Sequence, residues 1–461
     1  MASEGGLGEQ ERSRTRRDIG LLGLNQDLLL TVVELCLSSS ESVQIPPTVK
    51  SQHLILCQIC RSLRRLTLTT PSLWTRFTFT RVKLGQQRDL FKEWLSRADV
   101  PARSLPISLE NLEESRFSIS ELEEFVLPYS SRLFRLHLHL TYEALEKFFN
   151  LLPLVTFPHL TDFRVLCEDF QQPSILEVVP IFSASPLEAF GVVLGPPVLV
   201  RGLGISWARL KSLHLTTPHS RFFFPISWIH TILDSCRMLE TCSIFLEPST
   251  DPELPRLVLT SLKHLSIQFR DPGWKTQAGI LGFLSLPSLF SLKLECKDGL
   301  AFNETCSSLK SFFHRSPNIQ HLYFERTPAP DSGFSSSVNS SEVVNILTLL
   351  FNLRTAHLPK GHHTNIVAVL EAILLRTLCP MLESIDLTVN DGLQVVRVIQ
   401  TLWREGAGSR RRERRLRSIK LVGPKPSWIG ICEPPADEDP EITSYKTIIR
   451  ELEEEGLVIQ N

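Results

Sequence analysis

Long apolar runs, net charge and catalytic motifs are all missing from this chain of 461 residues. No stretch of about eighteen apolar residues occurs, so no membrane-spanning helix is expected. Met1 to Asp18 is polar and charged, without the apolar centre of a secretory signal, and residues 1–20 read as a disordered tail. Formal net charge is −1, with 49 Lys and Arg against 50 Asp and Glu, so no global field draws nucleic acid or an acidic membrane. No G-x-S-x-G, Walker loop, G-x-G-x-x-G or H-E-x-x-H is present. His362-His363 follows a glycine in a loop and has no carboxylate or cysteine at ligand spacing, so it reads as a surface pair. No enzyme, metal or cofactor is expected.

Cysteine is present but dispersed: ten residues run from Cys36 to Cys432. Only Cys57-Gln-Ile-Cys60 is closely spaced, and no second pair exists to complete a zinc site. Its plain reading is two small apolar residues on one helix. A reducing compartment, cytoplasmic and/or nuclear, follows as the expectation. Composition is otherwise that of a folded protein, with 42% hydrophobic and 21% charged residues. Glycine is modest at 22, whereas proline reaches 30 and falls mostly between apolar runs, as many short elements separated by turns require.

What is there in abundance is a register, L-x-x-L-x-L. Its first apolar position falls at Leu133, Leu160, Leu187, Leu210, Leu239, Leu262, Leu289, Ile319, Leu353, Leu382 and Leu416, at steps of 23 to 34 residues. The alternation inside each copy is strand-like. Helical periodicity fills spacers such as Tyr142 to Leu151, Trp228 to Cys236, Glu342 to Leu350, Asn365 to Leu378 and Leu393 to Trp403. One strand and one helix per copy is the leucine-rich-repeat plan, in the α/β class: a curved solenoid over residues 81–430 with a parallel inner sheet. The period of that class is about 20–29 residues, so the late copies carry longer returns. The residue between the last two apolar positions then faces the concave side. That row reads His137, Arg164, Gly191, His214, Ser243, Ser266, Lys293, Tyr323, His357, Asp386 and Lys420. Its neighbours include Arg135, His139, Asp162, Phe245, Gln268, Glu295, His321 and Glu325. A polar row of mixed sign dotted with aromatics suits a protein or peptide, because a phosphate lattice needs a uniformly basic stripe. His137, Arg164, His214, Lys293, Tyr323 and His357 are the candidate substrate-binding residues.

Ahead of the repeats stand two helix-period segments. In Gln26 to Ser38, Asp27, Thr31, Glu34 and Ser38 make one thin polar stripe and leucines and valines fill the rest, a pattern of burial on two sides. Asn25 is placed to cap this helix. A second helix, about Ser51 to Leu66, puts Leu56, Ile59, Cys60, Leu63 and Leu66 on one face, and the run ends at Thr69-Thr70-Pro71 before Leu73-Trp74. About fifty residues make too small a core alone, so the unit either packs on the repeats or holds apolar surface for a partner.

Residues 21–80 resemble a fungal-type F-box. Leu24, Leu28, Leu29, Val32 and Val33 sit as its first helix asks. Ile59, Cys60, Arg61, Arg64, Leu66, Leu68, Thr70, Pro71, Leu73 and Trp74 match its second part in order and spacing. Asn25 stands where proline is usual and Leu63 where tryptophan is usual. Trp94 to Arg97 and Leu105 to Leu109 resemble the lead-in that joins such F-boxes to leucine-rich repeats. The resemblance implies a substrate-receptor subunit of an SCF-type cullin–RING ubiquitin ligase. It would dock a Skp-type adaptor, and through it the cullin core, by the F-box, and hold an unknown protein substrate on the repeats. The expected adaptor-binding residues are Leu24, Leu28, Leu29, Val32, Leu56, Ile59, Pro71, Leu73 and Trp74. A leucine-rich-repeat interaction scaffold outside any ligase is the alternative.

Two charged stretches complete the chain. Arg410 to Arg417 is an import-signal or phosphate-contact pattern, but it leads straight into the strand at Leu416, where a solvated connector is the simpler reading. Residues 431–461 form an acidic tail in which Thr443 to Leu452 has helical pattern suited to closing a repeat array.

Overall fold

The computed structural model describes residues 25–37, 42–48, 51–80, 86–100, 103–111, 116–151, 156–167, 182–193, 204–216, 224–246, 254–269, 277–296, 302–326, 340–358, 363–374, 378–388, 392–405, 416–422 and 440–460. The expected tail at residues 1–20, Leu24, His362 and Arg410 to Arg415 lie outside them. The fold is α/β with parallel strands and intervening helices. Two compact units are distinguished: Met1–Ala189 with Val198–Ser206, and Phe190–Pro197 with Trp207–Asn461.

In the first unit the sheet order is β1 (Val43–Ile45), β2 (Arg76–Phe79), β3 (Ile107–Asn111), β4 (Leu133–His139) and β5 (Asp162–Leu166). All four pairings are parallel. The F-box-like segment is therefore not purely helical, because β1 and β2 both come from it. The aromatic core of this unit is dense: Phe91 meets Phe77 edge-on at 5.1 Å, and Phe79 lies 5.3 Å from Phe125.

In the second unit the order runs through β6 (Ala189–Val193), β7 (Ser212–Thr216), β8 (Thr241–Leu246), β9 (His264–Phe269) and β10 (Ser291–Cys296). It continues through β11 (His321–Arg326), β12 (Thr355–Leu358), β13 (Ser384–Thr388), β14 (Ser418–Val422) and β15 (Val458–Gln460). Every L-x-x-L-x-L copy supplies one strand, β4 to β14. The first apolar residue of each copy is buried, from Leu133 to Leu416, because it anchors the turn entering the strand. Successive copies are braced before that anchor: Asn318 Nδ2 donates to Pro287 O at 2.7 Å, and Asn352 Nδ2 to Pro317 O at 3.2 Å.

Helices fill the returns, among them Tyr142–Leu151, Ile226–Ser235, Ser340–Leu347, His363–Leu374 and Gly392–Glu405. His363 thus opens a helix, where the sequence reads as a loop. A fourteen-residue helix, Phe302–Arg315, was not evident from periodicity. The helix at the C-terminal end runs Pro440–Glu454 and delivers β15 onto β14. Arg404 Nη2 reaches Glu451 Oε2 at 2.7 Å, tying Gly392–Glu405 to that last helix.

Candidate interaction surfaces

The N-terminal helices are α1 (Gln26–Cys36), α2 (Gln52–Ile59) and α3 (Arg61–Thr69). Asn25 caps α1 through an N–H from Asp27, and the polar stripe Asp27, Thr31 and Glu34 is exposed as the pattern requires. The expected single helix from Ser51 to Leu66 is broken in two. Cys60 is extended, with φ −157° and ψ 167°, and its Sγ accepts the Leu63 N–H as an N-cap. Arg64 Nε donates to the Cys57 carbonyl at 2.6 Å, satisfying the end of α2. Periodicity could not show the break, because each half keeps its own apolar positions. The single apolar face expected of Leu56, Ile59, Cys60, Leu63 and Leu66 is accordingly divided. Leu63 and Leu66 are buried, Leu56 and Cys60 half-buried, and Ile59 exposed.

Burial sorts the adaptor-binding candidates in the same way. Leu29, Leu73 and Trp74 are enclosed, Val32, Leu56 and Pro71 are half-buried, and Leu28 and Ile59 stand in solvent at 56% and 61% exposure. Trp74 is held on every side: its Nε1–H donates to Thr67 O at 2.8 Å, Trp94 packs edge-on at 5.6 Å, and Arg97 lies over its ring at 4.6 Å. His53 packs against the same ring, and its Nε2 lies 3.0 Å from Leu73 O. Burial pushes the His53 imidazole below its ordinary range, against the opposing pull of that carbonyl.

Three further apolar residues of these helices, outside the expected adaptor-binding set, are also exposed: Leu35, Ile55 and Leu68. Five of the ten exposed large apolar side chains among the described residues therefore lie between Leu28 and Leu68. Leu28 and Leu35 are seven apart on α1, and Ile55 and Ile59 four apart on α2, so each pair shares one helix face. Arg61, Arg64 and Arg65 are exposed beside them. Helical spacing was the available signal for Leu35 and Ile55. Which flank of an almost wholly apolar helix faces water is decided by tertiary packing.

The second surface is the sheet row. Within the first unit, register aligns Gln44, Thr78, Glu110, His137 and Arg164 across β1 to β5. His137 lies between two carboxylates, Nδ1 at 3.4 Å from Glu110 and Nε2 at 3.1 Å from Asp162, and Arg135 is 3.0 Å from Asp162. Burial alone would raise the Asp162 pKa. Its contacts with His137, Arg164 and Arg135 prevail and hold it below the usual carboxylate range.

Within the second unit the row runs from His214 through Ser243, Ser266, Lys293, Tyr323, His357, Asp386 and Lys420, and continues onto Gln460. Lys293 Nζ is 2.7 Å from Glu325 and 3.6 Å from Glu295. Burial opposes its charge, but the two carboxylates win and hold its pKa above the ordinary lysine value. His357 Nδ1 is 3.4 Å from Asp386 Oδ2, and His214 Nε2 is 3.2 Å from Thr216 Oγ1. The expected row is thus one continuous line from His137 to Arg164 in the first unit and from His214 to Lys420 in the second. Asp162, expected beside it at the surface, is buried, and so are His139 and Phe245. Extra chain joins the sheet beside the latter two, Phe117 bridging Leu140 and Phe224 bridging Leu246.

Compared with models of known protein families and with curated proteins, the sequence matches none. Among the described residues, no helix is long and apolar enough to cross a membrane, and no group of three His, Cys, Asp or Glu could hold a metal ion. The buried thiols of Cys236 and Cys379 are pushed up to about 12 by burial, which makes them inert as nucleophiles.

Proposed function

We propose that this chain is a non-catalytic substrate receptor of an SCF-type cullin–RING ubiquitin ligase, acting in the cytoplasm or nucleus. The helices of residues 21–80 would bind a Skp-type adaptor, and the sheet rows a protein substrate. One observation carries the reading: the segment whose text resembles an F-box leaves Leu28, Leu35, Ile55, Ile59 and Leu68 in solvent. Apolar side chains concentrated on so short a segment suit a partner surface. The enclosed Leu29, Leu73 and Trp74 fix the shape of that surface without touching the partner. Both departures from the F-box text serve the fold, since Asn25 caps α1 and Leu63 is buried. The receptor's contribution would be proximity, holding a substrate near the conjugating enzyme.

The test is retention of a Skp-type adaptor by the full-length chain. The whole chain is required because β2, from the F-box-like segment, pairs with β3 beyond it. Wild type should retain the adaptor, and Leu28→Asp with Ile59→Asp should lose it. Retention unaffected by both changes sinks the proposal, and no retention by wild type leaves the interaction scaffold.

A further inference from the structure

The residue after the first apolar position of each copy forms another line along the second unit. Its members are linked through the backbone, each N–H donating to the carbonyl of its counterpart in the preceding copy. Glu240 donates to Lys211, Lys263 to Glu240 and Phe290 to Lys263. The line goes on with Gln320 to Phe290, Arg354 to Gln320, Glu383 to Arg354 and Arg417 to Glu383. Neighbours in the line are therefore one strand apart.

Its charges are symmetric about an uncharged centre. Lys211, Glu240 and Lys263 make a cation–anion–cation set at one end, and Arg354, Glu383 and Arg417 make the same set at the other. Lys263 Nζ lies 2.7 Å from Glu240, and Arg354 Nη1 lies 3.6 Å from Glu383. Summed over its own three members, each set is net +1. At the centre the exposed Phe290 ring stands between His264, at 5.9 Å, and His321, at 4.5 Å. Burial, with the nearby charges of Arg354 and His264, pushes the His321 imidazole below its ordinary range, so this ring is uncharged at neutral pH.

We propose that this line docks an acidic polypeptide segment in which one apolar residue lies between two acidic ones. The proposal rests on the reading of the repeats as the partner-binding part of the chain. Charge complementarity selects the partner: two cationic ends flank an apolar ring, and the interleaved Glu240 and Glu383 disfavour a continuous phosphate backbone. Spacing narrows it further. Lys263 and Arg354 are three strand steps apart, about 14 Å, and an extended peptide advances about 3.4 Å per residue, so the acidic residues fall about four positions apart.

The probe is a fluorescein-labelled peptide, Gly-Glu-Ser-Phe-Ser-Glu-Gly, titrated with the full-length chain by anisotropy at low salt. Lys263→Glu with Arg354→Glu should weaken binding about tenfold, and Glu240→Gln with Glu383→Gln should tighten it. Equal binding of a peptide with Gln for both Glu, unchanged affinity in the charge-reversed variant, or no binding at millimolar protein overturns the proposal. Tighter binding of an oligothymidylate than of the peptide also overturns it, in favour of nucleic acid. Adaptor retention is measured on the same samples. If it is absent while the peptide binds with this pattern, the ligase reading fails and the docking line stands.

Discussion

Trp74 and Ile59 lie fifteen positions apart in one F-box-like segment and do opposite work. Trp74 is enclosed by Thr67, Trp94 and Arg97, so Trp74→Ala should cost about 3–5 kcal/mol in urea unfolding. Ile59→Asp or Leu28→Asp replaces a side chain already in water and should stay within about 0.5 kcal/mol while removing adaptor retention. A shared loss of stability across all three would refute that division. His53 gives a pH signature to the same region. Its folded pKa is depressed, so the unfolded chain binds the extra proton first. Stability should therefore fall as pH drops below the unfolded value of about 6.5, and go on falling until the folded pKa is reached. Urea midpoints at pH 7.5 and 5.5 report this, and His53→Gln should flatten the difference.

At the scale of elements, the copies were legible and the joints were not. Each L-x-x-L-x-L became a strand because two constraints coincide there: period-two alternation along the strand and a buried apolar anchor at its entry. The same geometry placed His137, Lys293 and His357 in their rows, since side-chain direction in a strand follows from position alone. In the main sheet β1, β2 and β15 lack the copy and were not foreseen as strands, whereas β3 overlaps the Leu105 to Leu109 lead-in. Nor was the break at Cys60, where a thiol cap and the Arg64 contact to Cys57 outweigh an unbroken helical period. Exposure on α1 was equally hidden, because Leu28 and Leu29 are alike until a core chooses one. The asparagine braces are element-scale features with a measurable weight. Asn318→Ala and Asn352→Ala should each cost about 1 kcal/mol in unfolding free energy, since each leaves a carbonyl without its donor. No change in either variant would show that water takes over the bond.

For the whole molecule, near-neutral charge leaves local pattern to decide what is attracted. The two proposed contacts draw on separate residues, Leu28 and Ile59 for the adaptor and Lys263 and Arg354 for the acidic segment. Variants at one should leave the other unmoved: Leu28→Asp with Ile59→Asp should bind the peptide like wild type, and Lys263→Glu with Arg354→Glu should retain the adaptor. Cross-effects beyond about threefold would mean that the contacts are energetically coupled.

The backbone links from Lys211 to Arg417 make the docking line a ruler whose graduations are strands. Its length is then set by the number of copies and not by the residues within them. Insertions in the returns, which already vary, leave every graduation in place. Excising residues 320–353 would join Ile319 to Arg354 in phase, removing the Gln320 graduation while keeping the Phe290 ring. Lys263 and Arg354 would then stand about 9.6 Å apart, and the preferred separation of acidic residues would shrink from about four positions to about three.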